Sequence, residues 1–155
     1  MPTDTAAAAR RELIALRWTA GDIAALDADW PHLGNMLGLH QDAIEYTRYL
    51  GLTPTEVRIW FQALYNPDGS DTAAHQRADA TGAFEDTYAL IRDYRNAASK
   101  GTRLAVTAMR AGLLPAELAT RIAAGTADLT ALETLAALAS AEHGHLSPAR
   151  PSATP

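Results

Sequence analysis

The same punctuation occurs twice in this chain. Gly51-Leu52-Thr53-Pro54-Thr55-Glu56-Val57 and Gly112-Leu113-Leu114-Pro115-Ala116-Glu117-Leu118 share one spacing. Glycine accepts the left-handed conformation that ends a helix. Proline suits the first position of the next helix, where its missing N–H costs nothing. The glutamate two residues on sits where a carboxylate can reach back to the helix start. A chain written this way stops a helix, turns tightly and restarts another. No segment alternates β-branched and polar residues as a half-buried strand would. The expected fold class is all-α, a multi-helix bundle with short helices and tight Gly/Pro turns.

Composition sets the scale. With 155 residues and 48% hydrophobic content the chain can bury a core, but roughly a fifth of it is alanine, which favours helix and adds little volume. Trp18, Trp30, Trp60 and the leucines are therefore the expected fillers. There are no cysteines, which excludes disulfides and thiolate metal sites. No apolar run approaches the roughly 20 residues of a bilayer span. Met1-Pro2-Thr3-Asp4 lacks the basic start of a secretory signal. The expectation is a soluble, cytoplasmic protein with no membrane partner.

Along the chain, helices are expected over Thr5–Arg17, from the Thr19–Asp22 cap to Leu26, Gln41–Leu50, and from Pro54 to about Tyr65. Asn66-Pro67-Asp68-Gly69 then reads as a turn. Further helices are expected over about Ala83–Ala98, Thr102–Ala111, Pro115–Ala124 and Asp128–Glu142. The polar stretch between the two groups is either a mobile connector or a weak exposed helix. The expected organisation is an N-terminal cluster (1–67), a polar connector (68–82), a C-terminal cluster (83–142) and a disordered tail (143–155).

The stretch Ala43–Leu64 resembles the helix–turn–helix of bacterial repressors. Thr47, Gly51, Leu52, Val57 and Trp60 occupy that pattern's small, glycine and apolar places. The resemblance implies a second helix in the DNA major groove, with Thr53, Thr55, Arg58, Ile59 and Gln62 on its exposed face. Arginine can fork onto guanine and glutamine onto adenine, and Thr53 at the helix start suits a phosphate. The same segment is similar to the third helix of homeodomains. That match fails where the adenine-reading asparagine would stand, at Ala63, and where basic residues would follow, at Leu64 and Tyr65. The second unit, Ala108–Ile122, vaguely resembles the end of a Cro/repressor-type domain, with Arg103 and Arg110 as phosphate contacts and Arg121 standing where an apolar residue belongs.

Against DNA stands the net charge of −5, since phosphate binding needs local positive charge. Acids dominate from Gly21 to Glu56, namely Asp22, Asp27, Asp29, Asp42, Glu45 and Glu56 against Arg48. Basic residues dominate from Arg92 to Arg110. Other chemistry is sparse. None of His32, His40, His75, His143 and His145 falls in a His-Glu-x-x-His arrangement, and His32 and His40 read as surface or helix-end residues. Glu142-His143-Gly144-His145 is a chelating pattern in a tail. Asp68-Gly69-Ser70-Asp71 reads as a turn and lacks the ligand spacing of a calcium loop. Asp27/Asp29 and Glu85/Asp86 are paired carboxylates of the solvated kind. No phosphate loop or nucleophile triad occurs. Neither catalysis, a cofactor nor a metal is expected. The functional expectation is a small DNA-binding transcriptional regulator acting on double-stranded DNA, as a homodimer. The competing expectation is a non-enzymatic helical protein–protein interaction module, an acidic adaptor or inhibitor. The apolar row from Leu129 to Leu138 serves either a core or a dimer.

Overall fold

The computed structural model describes residues 2–31, 33, 36–82 and 84–146, and among them every regular element is a helix. The chain is all-α. It divides into two compact units, Met1–Ser70 and Asp71–Pro155. No helix among the described residues is long and apolar enough to cross a membrane.

Unit 1 holds α1 (Pro2–Ala15), α2 (Ala20–Asp29), α3 (Leu37–Leu50) and α4 (Pro54–Leu64). α1 packs on α3, and α4 packs on both α2 and α3. α1 ends without glycine: Arg17 takes φ +76°, and the Trp18 N–H returns to the Leu13 carbonyl at 3.0 Å. α2 opens on a reciprocal cap. Thr19 Oγ1 accepts from the Asp22 N–H, and the Asp22 carboxylate accepts from the Thr19 N–H. The core is built from Leu13, Trp18, Leu26, Val57, Trp60, Phe61 and Leu64, each at most 2% exposed. Trp18 is fixed in direction as well as depth, its Nε1 donating to Thr47 Oγ1 at 3.0 Å. Thr47 is thus more than a small residue that lets helices approach.

One expectation for unit 1 needs correction. α3 begins at Leu37 rather than Gln41 and takes Gly38 into its first turn. His40, expected at the surface or at a helix end, sits in the first turn of α3 and is 2% exposed, its Nε2 meeting Asp27 Oδ1 at 2.7 Å. A buried imidazole needs a polar partner, and α2 supplies it. His32 lies outside the described residues.

Unit 2 holds α5 (Ala73–Ala80), α6 (Thr87–Ala97), α7 (Thr102–Arg110), α8 (Pro115–Ala123) and α9 (Leu129–Leu146). α7 is its hub, packing on α5, α6 and α9, while α8 packs on α6. The stretch expected as a connector or a weak exposed helix is divided between the units. Its first residues close the Asn66–Ser70 turn, and its remainder forms α5, capped by Thr72 and burying Ala74, His75 and Ala78. Small alanines on that side permit close approach to α7, which a polar average over the segment conceals. α6 starts at Thr87, later than expected, because the Asp86 carboxylate caps it by accepting from the Ala89 N–H at 2.9 Å. α9 runs to Leu146, past the expected end at Glu142. Residues 147–155 of the expected tail, and the side chains of Glu142, His143 and His145, lie outside the described residues. In the leucine row of α9, Leu132 is fully buried and Leu138 is 61% exposed.

Candidate functional site

The α3–α4 hairpin has the turn that its sequence announces. Gly51 takes φ +69°, and the Leu52 N–H reaches the Tyr46 carbonyl at 3.4 Å. Thr53 Oγ1 accepts from the Glu56 N–H, while Glu56 Oε1 accepts from the Thr53 N–H at 2.8 Å. Leu52 is buried and anchors the turn from beneath. Val57, Trp60, Phe61, Ala63 and Leu64 fill the inner side of α4. Its outer row is narrow: Thr53, Thr55 and Gln62 are exposed, and Arg58 and Ile59 are half-buried.

Arg58 is where this row departs from a DNA-reading face. Its Nε and one Nη donate to the two carboxylate oxygens of Asp29 at 2.8 and 2.9 Å. The Asp29 side chain is 13% exposed and that of Arg58 is 35% exposed. Such a two-pronged pair fixes the guanidinium plane against the end of α2. The bond to Asp29 raises the Arg58 pKa, so the cation persists but is neutralised locally. Two further arginines of unit 1 are also paired with acids: Arg10 with Asp27 at 3.5 Å and Arg48 with Glu12 at 2.9 Å.

The second hairpin repeats the turn but not the whole cap. Gly112 takes φ +84°, and Leu113 N–H returns to the Ala108 carbonyl at 3.0 Å. Glu117 accepts from the Leu114 N–H at 2.8 Å, but leucine has no side-chain oxygen to return the bond. Tyr94 Oη braces the turn from α6, donating to the Leu113 carbonyl at 2.6 Å. Leu118 is the one α8 side chain that is fully buried. Arg103, expected to meet phosphate, pairs with Glu133 at 3.2 Å.

Two other arrangements lie outside these turns. The Asp68 carboxylate accepts from both the backbone N–H and the hydroxyl of Ser70, which hold its pKa below the ordinary value and close a local turn. Asp71, His75 and Asp79 each place a ligand atom within 4.8 Å of the others, and His75 is already joined to Asp71 at 3.2 Å.

Unit 1 also holds a cleft of about 300 Å³, lined by Trp30, Leu33, Gly38, Leu39, Asp42, Tyr65 and Gly69. Burial, reinforced by Glu45 one turn along, raises the Asp42 pKa to about 6. Among the described residues no hydrogen bond or ion pair reaches the Asp42 carboxylate. Trp30 is 3% exposed, and its buried Nε1 has no hydrogen-bond partner among the described residues. Tyr65 bonds through its side chain to Tyr46. Nothing in the sequence marks Asp42 as a site residue. An aspartate one turn into a helix carries no mark of burial; only the fold brings Trp30 and Tyr65 to the same cleft.

Comparison with known proteins gives no relative: no family model, no curated protein and no solved structure matches this chain. The class defined by its architecture is therefore an all-α chain of two helical units, each with a Gly/Pro-punctuated hairpin.

Proposed function

We propose that the chain is a non-enzymatic helical protein-interaction module whose N-terminal unit engages a positively charged segment of a partner protein. One observation carries this reading: Arg58, the strongest candidate for reading a base, is held by both oxygens of Asp29. The surrounding charge supports it. Residues 1–70 carry nine acids (Asp4, Glu12, Asp22, Asp27, Asp29, Asp42, Glu45, Glu56 and Asp68) against five arginines (Arg10, Arg11, Arg17, Arg48 and Arg58). An acidic surface favours encounter with cationic partners and opposes approach to phosphate.

A DNA-binding transcriptional regulator is the second reading. It is favoured by the α3–α4 turn geometry and by the exposure of Thr53, Thr55 and Gln62 on one side of α4. It requires Arg58 to leave Asp29 for a base edge, giving up two charge-assisted bonds.

The two readings separate in one experiment. The tagged full chain is recovered from its native host and both protein and nucleic acid are identified. Purified chain is also titrated with genomic DNA fragments at low salt. The module reading expects a specific protein partner and no DNA retention. DNA binding that weakens steeply with salt and disappears in Arg58→Ala, with the fold intact, overturns it in favour of the regulator.

A further inference from the structure

We propose that the cleft bounded by Trp30, Asp42 and Tyr65 receives the ammonium group of a lysine side chain from the partner protein. The inference rests on the module reading and specifies where such a partner would be anchored. Two features converge. The first is charge: Asp42 is a half-buried carboxylate without a hydrogen bond or ion pair among the described residues, and its nearest charged influence, Glu45, is also negative. A carboxylate placed this way is stabilised by an incoming cation. The second is the wall. Trp30 and Tyr65 line the cleft with aromatic surface, which attracts an ammonium through the ring quadrupole, while Leu33 and Leu39 suit its methylene stem.

Size narrows the occupant. About 300 Å³ lies at the small end of ligand cavities, enough for one long side chain and too small for a helix. The Glu12–Arg48 groove between α1 and α3 is less suited to the same task. Its arginine already occupies the carboxylate there.

The test uses the full chain and the peptide acetyl-Ala-Lys-Ala-amide. The Trp30 indole N–H resonance is followed by NMR and assigned with Trp30→Phe. It is expected to shift saturably with the lysine peptide and hardly at all with the norleucine counterpart. Asp42→Asn is expected to weaken binding about tenfold or more, the effect of losing one well-placed charge partner. An equal response to norleucine, or undiminished binding by Asp42→Asn, overturns the assignment. Host recovery keeps the two claims apart. If the chain captures a protein partner equally well with Asp42→Asn, the cleft is wrong and the module reading stands. If it captures only DNA, the module reading falls and the partner lysine with it.

Discussion

Arg58 and Asp29 are joined across the α2–α4 contact by two bonds of 2.8 and 2.9 Å, with the carboxylate side chain only 13% exposed. The pair makes α4 a docked helix first and a recognition surface second. Removing one member leaves the other poorly solvated, so the two substitutions are not expected to add. Arg58→Ala is expected to cost about 1–2 kcal/mol in urea unfolding, discounted for the partial exposure of the arginine. Arg58→Ala combined with Asp29→Asn is expected to recover a large part of that loss. Strict additivity would show the pair to be energetically idle.

Two helix ends in unit 1 share the left-handed conformation but differ in residue type. Gly51 has φ +69° and Arg17 has φ +76°. A Cβ at Gly51 meets nothing within 4 Å, so the cost of Gly51→Ala is conformational, about 1 kcal/mol. Arg17→Gly relieves the same strain and is expected to stabilise by about 0.5–1 kcal/mol. Thermal unfolding of both variants checks the opposite signs.

Asp42 supplies a pH-dependent stability term. Its folded pKa, about 6, lies above the ordinary 3.8, so between those values the folded state holds the proton more tightly than the unfolded state. Stability from this group is full below about pH 4 and falls as pH rises to about 6. Asp42→Asn is therefore expected to raise stability at pH 7 by about 1 kcal/mol, after allowance for solvent screening, and to change little at pH 4. Urea midpoints at the two pH values give the comparison. A variant no more stable than the parent at pH 7 would contradict the burial argument.

The Trp18–Thr47 bond offers a test confined to one hydroxyl. Thr47→Val keeps the shape and removes the acceptor, leaving the Nε1 of a 2%-exposed indole unpaired. The expected cost is about 1–2 kcal/mol. Thr47→Ser keeps the acceptor and should lose less, by the same unfolding measurement.

How much of this was legible beforehand depends on the length over which each signal acts. The Gly51 and Gly112 turns, the Thr53–Glu56 and Thr19–Asp22 caps and the inward Val57–Trp60–Phe61–Leu64 face are local, and each was readable from residues a few positions apart. α5 was legible only as one of two alternatives, and its burial was not, because Ala74 and Ala78 acquire their meaning from α7, which lies about thirty positions on. The burial of His40 was not legible for the same reason, its partner Asp27 lying on another helix. In the candidate site, Thr55 and Gln62 are exposed as expected. The partner of Arg58, Asp29, belongs to an acid pair that reads from sequence alone as solvated.

The division of α4 into a filled inner side and a thin outer row has an evolutionary consequence. Val57, Trp60, Phe61 and Leu64 are committed to the interior, and Thr53–Glu56 sets the entry of the helix. Exposed Thr55 and Gln62 are tied to neither task. Those two letters are free to drift with little folding penalty, so descendants of this chain could keep the scaffold while trading one molecular acquaintance for another.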